Sequence, residues 1–265
     1  MTATNKDLLG VTRKDSITIL TLERQPSNNL NLALFKALRA AVTECAADKN
    51  CHALLITSSI PKYFSAGVDL EEYFSLPEGS RKELFLNLFR LYQELSMLPK
   101  PTVAAIGGYA LLGGWIVSMA CDFRFMAQET GKLALSEIRL GISPTDILIR
   151  TLANMAGNQT VVKEMILLGK TVRAEEALQA GLIDGIFPQI KLFEESLAYA
   201  KRLSEMAPTA YASIKKSYRE RLGGCLDEKT FTKTVTDVAA MLESAEAKEG
   251  LSAMRQKRRP VFKRT

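Results

Sequence analysis

Two short segments place small residues where they could act on a carbonyl group. Phe64-Ser-Ala-Gly-Val-Asp-Leu70 puts Gly67 in a tight turn ahead of a short helix. Gly107-Gly-Tyr-Ala-Leu-Leu-Gly-Gly-Trp115 puts paired glycines ahead of another helix start. Amides in the first turn of a helix have no intrahelical partner and carry positive potential, so they can hold negative charge developing on an oxygen. Two such amides facing one carbonyl form an oxyanion hole that needs neither metal nor histidine. On spacing alone a second reading stays open, because glycine pairs before helices commonly serve close packing.

The rest of the composition removes other chemistries. The sequence has 265 residues and a single histidine, His52, at the start of the apolar run Cys51–Ile56. A serine or cysteine triad would depend on that one residue, which reads as a strand-start or core histidine. The four cysteines (Cys45, Cys51, Cys121, Cys225) form no C-x-x-C pair, so a zinc site is not expected. Their scatter among apolar neighbours fits a reducing compartment. With 47% hydrophobic and 24% charged residues, the composition is that of an ordinary globular chain. The apolar stretch from Thr102 to Cys121 is interrupted by glycine pairs and reads as core, not as a membrane span. The first 16 residues carry Lys6, Arg13, Lys14 and Asp15 without an apolar block of signal length, so no targeting signal is expected. A cytoplasmic, bacterial setting follows as the expectation.

The net charge of +6 is local. Arg255-Gln-Lys-Arg-Arg-Pro-Val-Phe-Lys-Arg264 holds six basic residues; removing them from the 35 leaves 29 against 29 acidic residues. A nucleic-acid binder would spread basic residues over a face, so no nucleic-acid partner is expected. The tail reads either as a solvated end or as an attractor for an anionic ligand or partner.

The elements that must hold the two turns follow from periodicity. Ser16–Leu22 alternates with period two and predicts a strand, and Asn31 is a candidate cap for a helix from Leu32 to about Asp48. Cys51–Thr57, Thr102–Ile106 and Asp122–Ala127 read as strands, and 80–98 as an amphipathic helix with Leu84, Leu88, Leu91 and Leu95 on one face. A small-residue helix is expected from Gly113 to Cys121. Beyond Pro144 the pattern is helical: 145–155, 160–168, 173–180, 191–206, 208–222 and one long helix over 228–253.

Taken in order, the motifs resemble the crotonase (enoyl-CoA hydratase/isomerase) superfamily. They are Leu22-Glu-Arg-Gln-Pro-Ser-Asn-Asn-Leu30, Phe64–Leu70, Lys100-Pro-Thr-Val-Ala-Ala-Ile-Gly-Gly-Tyr-Ala110, Met119-Ala-Cys-Asp-Phe-Arg124, Ser136-Glu-Ile-Arg-Leu-Gly-Ile142 and Ala174-Glu-Glu-Ala-Leu-Gln-Ala-Gly-Leu-Ile-Asp184. The resemblance implies an α/β spiral of ββα units over residues 1–200 that carries an acyl-thioester site. It also implies a helical C-terminal trimerisation region over 201–265 with the basic tail, and assembly as trimers or paired trimers. It implies that the amides of Ala66 and Gly113 form the oxyanion hole, and that Ala66, Gly67, Val68, Asp69, Leu70 and Gly113 line the path of coenzyme A. Coenzyme A would be part of the substrate, with no tightly bound cofactor, and the tail could hold its phosphates.

Hydratases of the superfamily carry two glutamates. In this chain the first position falls on Ile116 and the second on Glu137. Hydration needs one group to activate water and another to protonate or orient, so the pattern argues against efficient hydration. A single glutamate suits a proton shuttle, and the chain resembles the Δ3,Δ2-enoyl-CoA isomerases. An apolar wall including Trp115 and Ile116 would then raise the pKa of Glu137. Dienoyl-CoA isomerases and a dehalogenating branch place an aspartate where Thr145 falls; Asp146, one residue later, reads as a helix-N-terminal carboxylate. Chain-length selection is expected from side chains between about Tyr73 and Phe89. Three other readings stand beside the isomerase: a tailoring enzyme (isomerase, dehydratase or decarboxylase) acting on acyl-carrier-protein-bound intermediates, an enoyl-CoA hydratase, and a non-catalytic acyl-CoA binder.

Overall fold

The computed structural model describes residues 8–222 and 227–263, and Cys225 lies outside them. β1 (Leu9–Lys14) and β2 (Ile17–Leu22) form an antiparallel hairpin that leads into α1 (Leu32–Ala47). Three passes of two strands and a helical segment follow. β3 (Ala53–Ser58) and β4 (Tyr63–Ser65) precede α2 (Leu70–Ser75) and α3 (Glu78–Met97). β5 (Thr102–Ile106) and β6 (Tyr109–Leu111) precede α4 (Gly113–Met119). β7 (Phe123–Ala127) and β8 (Lys132–Ala134) precede a 3-10 turn (Glu137–Leu140), then α5 (Asp146–Met155) and α6 (Gln159–Leu168). β9 (Thr171–Arg173), α7 (Ala174–Gln179), β10 (Gly185–Phe187) and α8 (Gln189–Ser204) complete the core. α9 (Pro208–Arg221), α10 (Glu228–Leu242) and α11 (Ala245–Arg255) end the described chain.

The first strand of each pass joins one sheet and the second joins another. The larger sheet has the order β1-β2-β3-β5-β7-β10, parallel from β2 onward, and the smaller has β4-β6-β8-β9. This is the crotonase spiral. Alternation along the larger sheet sorts its side chains. Ile17, Ile19, Ala53, Leu55, Val103 and Ala105 face α8, while Leu20, Leu22, Leu54, Ile56, Ala104 and Ile106 face the interior with α1, α3 and α4. Both faces are buried, which is why these strands read as continuous apolar runs.

Two departures from the sequence reading have local causes. β1 was not expected, because four of its six residues are exposed, three of them polar (Thr12, Arg13, Lys14), and it sits at the sheet edge. The expected helix over 228–253 is two helices: Ser244 accepts from the Ala247 amide and starts α11 anew after Glu243. α8, expected over 191–206, is Gln189–Ser204. His52 stands exposed just before β3.

A buried ionic cluster fastens α9 to this core. Asp122 accepts from the Thr102 amide (3.0 Å) and pairs with Lys215 (2.8 Å) and Arg219 (3.2 Å), whose side chains are nearly sealed. Arg219 also donates to Met119 O (3.1 Å) and Ala120 O (2.8 Å), the carbonyls that end α4. A cation there suits the negative end of the helix and fixes α4 from behind.

Candidate functional site

The turn Phe64–Leu70 is held from both sides. Asn28, fully buried, donates to Phe64 O (3.0 Å) and Ser58 Oγ (2.7 Å). Ser65 Oγ donates to Asn28 O (2.7 Å) and accepts from the Gly67 amide (3.1 Å). Asp69 caps α2 by accepting from the amides of Glu71 and Glu72, and Arg24 pairs with it at 2.5 Å.

Between these anchors the backbone bridges Leu30. The Leu30 amide donates to Gly67 O (2.7 Å) and the Asp69 amide to Leu30 O (3.0 Å). In an extended bridge successive amides point to opposite sides, so the amide of Val68, between the two, faces away from Leu30. Among the described residues it has no partner. The amide of Ala66, which the family resemblance put in the oxyanion hole, is engaged: it donates to Ser27 O at 3.0 Å. Ala66 lines the cavity, but its N–H is unavailable to a ligand. The signal that finds Val68 instead is the pairing with Leu30, a contact between residues far apart in sequence.

The second turn brings Gly113 against Val68. Leu112 adopts φ 49° and ψ −121°, a costly backbone for a leucine, held by its amide bonding to Ala134 O (2.8 Å) and its carbonyl accepting from Ile116 (3.0 Å). That turn sets the Gly113 amide at the start of α4 without an intrahelical partner. A methyl group on Gly113 would lie 3.4 Å from Val68 N, so the two amides are neighbours. Gly114 lets α4 approach closely, since a Cβ there would stand 2.3 Å from Ser65 O. Gly67 has φ +96°, and a Cβ on it would meet Gly113 N at 3.1 Å. Gly67→Ala is therefore expected to cost about 1–3 kcal/mol in stability and to lower turnover by roughly a hundredfold through displacement of the Gly113 amide. Denaturant melts and steady-state rates check both; unchanged turnover would mean that the Gly113 amide takes no part.

Both amides open on a cavity of about 300 Å³. Its wall includes Ala66, Val68, Asp69, Leu70 and Gly113, with Gly67 lying behind it. Phe85, Leu88, Phe89, Ile116, Leu140, Ile142 and Leu148 make most of the apolar lining. Tyr73 is not on the wall, and Trp115, expected there, is fully buried in the core on the far side of α4. Ile116 alone supplies the apolar face that α4 turns to the cavity.

Glu137 enters from the 3-10 turn, which α11 presses into place: a Cβ on Gly250 would stand 2.2 Å from Leu140 O. Among the described residues its carboxylate has no ion partner, and Oε2 is sealed without a hydrogen bond. Burial pushes the carboxyl up to about 7. The other two carboxylates on the wall are committed or solvated, Asp69 to Arg24 and Glu71 to Arg255 at 3.5 Å. Asp146 is exposed on the first turn of α5 and pairs with Arg150 (2.7 Å), away from the wall. Among the described residues no cluster of His, Cys, Asp or Glu could hold a metal ion, and no helix is long and apolar enough to cross a membrane.

The sequence profile of the family described as enoyl-CoA hydratase/isomerase matches residues 12–265. The chain belongs to this family. A probable enoyl-CoA hydratase of Bacillus subtilis (strain 168) is 31% identical over 255 residues, 93% of this chain and 95% of that one. A carnitinyl-CoA dehydratase of Salmonella typhi is 31% identical over 260 residues, covering 96% and 98%. In structure, a methylmalonyl-CoA decarboxylase in complex with 2-nitronate-propionyl-CoA superposes with a TM-score of 0.82 at 25% identity, over 97% of this chain and 98% of that one. The chain is thus a crotonase-family acyl-CoA enzyme. These relatives are named for hydration, dehydration and decarboxylation, and a further solved structure, with a TM-score of 0.78 at 25% identity over 89% of this chain and 99% of that one, is named an enoyl-CoA isomerase.

Proposed function

We propose that the enzyme moves a carbon–carbon double bond in an acyl-CoA thioester from the 3,4 to the 2,3 position. The observation that carries this reading is Glu137: among the described residues it is the carboxylate on the cavity wall without an ion partner, with Oε2 sealed, and Ile116 stands where a second proton-transferring group would be needed for hydration. A proton on C2 of a 3-enoyl thioester becomes acidic only if charge moving onto the thioester oxygen is held. The amides of Val68 and Gly113 supply that hold, and each donor of such a pair contributes about 3 kcal/mol in the transition state. Glu137 takes the C2 proton; the C2–H electron pair becomes the C1–C2 double bond of a dienolate as the thioester C=O pair moves onto the oxygen, and it shifts to C2–C3 when the carbonyl re-forms. The same carboxyl then returns its proton to C4, leaving the conjugated 2-enoyl product. Apolar walls keep water from intercepting the dienolate.

Coenzyme A is read as part of the substrate, entering past Ala66–Leu70. Arg255 and Lys257, from the basic tail, reach the same cavity, and Arg255 also stacks on Phe74 at 4.9 Å. They suit the phosphates of the thioester's carrier. The double variant Arg255→Ala/Lys257→Ala is expected to raise KM about tenfold with kcat little changed, an effect that fades at high salt. Equal KM in both proteins at low salt would remove the tail from substrate binding.

The test of the reaction is direct. A 3-enoyl-CoA mixed with the enzyme should develop the absorbance of the conjugated enoyl thioester, while 2-enoyl-CoA should not be hydrated at a comparable rate. Rapid hydration without isomerisation would overturn the proposal in favour of a hydratase.

A further inference from the structure

Cys45 and Cys51 meet across the junction between α1 and β3. Their sulfurs lie 2.9 Å apart, and both residues are buried, Cys45 in the last turn of α1 and Cys51 just ahead of β3. A disulfide bond measures about 2.05 Å, so the two sulfurs stand about 0.9 Å from bonding distance. The turn between them is fixed by its own bonds. The Cys51 amide donates to Asp48 O (3.1 Å), while the Asp48 carboxylate accepts from the Asn50 amide (2.8 Å) and pairs with Arg13. Lys100 anchors the end of the helix, donating to Cys45 O (2.5 Å) and Asp48 O (2.7 Å).

The two thiols differ in their surroundings. The Cys51 sulfur accepts from Thr18 Oγ1 (3.2 Å), and the residue lies on the wall of a second cavity, of about 380 Å³, that Lys100, Pro101, Pro208 and Tyr211 also line. Cys45 has no place on that wall. The hydrogen bond from Cys45, with the Thr18 hydroxyl and the Lys100 charge, holds the Cys51 thiol below its ordinary range against the effect of burial, and the same bond pushes Cys45 up. The thiolate is the attacking form of a cysteine, so the pair has one nucleophile and one partner poised to resolve it. Cys51 is 1% exposed, so the oxidant that suits it is a peroxide little larger than water. We propose that Cys45 and Cys51 form a redox-active dithiol, a modification site that hydrogen peroxide converts to an internal disulfide, with Cys51 as the attacking sulfur. The Cys51 thiolate attacks one peroxide oxygen as the O–O bond breaks, giving a sulfenic acid and hydroxide. The Cys45 sulfur then attacks the Cys51 sulfur and displaces its hydroxyl group, which leaves as water with the Cys45 proton. In sum, two thiols are oxidised to a disulfide and one peroxide is reduced to two waters. In a reducing setting such a pair rests as thiols and bridges only when an oxidant arrives. The proposal stands apart from the acyl-thioester reading, because neither cysteine lies on the wall of that cavity.

Peptide mapping of the full chain tests this. A Cys225→Ser variant keeps Cys45, Cys51 and Cys121 as its thiols. It is exposed to hydrogen peroxide, its remaining thiols are alkylated, and it is digested with trypsin. Cleavage after Lys49 falls between the two cysteines, so the bridge appears as two joined peptides that dithiothreitol separates. Cys121, fully buried and with its thiol pushed up to about 11 by burial, should stay alkylatable. The native protein is expected to form the bridge about tenfold faster than the same chain unfolded in urea, because only the fold lowers the Cys51 thiol and seats Cys45 against it. Dimedone, which traps sulfenic acids, should label Cys51 in Cys45→Ala and leave Cys45 unlabelled in Cys51→Ala. Bridging no faster in the native protein than in urea overturns the proposal, by showing that the fold shields the pair. Labelling of Cys45 in Cys51→Ala overturns it too, as does survival of both thiols at an exposure that oxidises free cysteine.

Discussion

Glu137→Gln is expected to lower the proposed isomerase activity by about a hundredfold to ten-thousandfold, the range that a positioned acid–base group supplies. The loss falls on kcat, because glutamine keeps the size and polarity of the side chain and removes only its capacity to accept a proton. The pH profile of the wild type carries the same signature. With the carboxyl pushed up to about 7, the base is mostly protonated at pH 6, so kcat/KM rises with pH and levels off above about 7. An unperturbed glutamate would have reached its plateau more than two pH units lower.

The same group costs the fold stability. Its folded pKa lies above the model-peptide value of 4.5, so the folded state holds the proton more tightly than the unfolded chain. Stability from this group is full below pH 4.5 and falls as pH rises toward 7. The loss amounts to at most about 3 kcal/mol at pH 8, taking 1.4 kcal/mol per pH unit. Glu137→Gln is therefore expected to be more stable than wild type at pH 8 and equal to it near pH 4. Chemical denaturation at both pH values reads this directly. A variant that is slower yet more stable at high pH is what a catalytic carboxylate kept in an apolar wall predicts. Equal stability at both pH values, with activity intact, would place Glu137 outside the machinery.

The second large effect is on stability. Asp122→Ala leaves Lys215 and Arg219 in a nearly sealed site without their carboxylate and frees the Thr102 amide. Burial already holds the Lys215 amine below its ordinary range, and removing Asp122 takes away the charge that opposes that shift. Arg219 is left in the same nearly sealed site without its carboxylate. Breaking a buried pair in this way costs about 3–5 kcal/mol, and in a chain of this size that lowers Tm by roughly 10 °C. Thermal unfolding measures it; a shift of under 2 °C would mean that water enters the cluster. Since Arg219 also closes the far end of α4, kcat should fall modestly in the folded fraction, through the Gly113 amide at the near end.

What the amino-acid sequence determined by itself was whatever depends on near neighbours. Period-two runs such as Ile17–Leu22 and the leucine stripe of α3 sit where alternation and 3.6-residue spacing put them. The ordered motifs identified the family, and the exchange of a glutamate for Ile116 was visible without coordinates. The short strands β4, β6, β8 and β9 carry three residues each, too few for any periodicity, and exist because the passes of the spiral stack them side by side.

Tertiary structure decided the finer chemistry of the site. Which amide of Phe64–Leu70 is free depends on two partners distant in sequence: Ser27 occupies the N–H of Ala66, and Leu30 takes bonds on either side of Val68. A one-residue step along an extended chain reverses the direction of the amide, so no reading of the motif alone could choose between neighbours two residues apart with different tertiary partners. The ionisation of Glu137 was decided in the same way. A carboxylate in a polar-looking Ser-Glu-Ile-Arg segment acquires a pKa of about 7 only because α4 and α11 close over it with apolar surface, and desolvation is a property of what surrounds a group, not of its place in the chain.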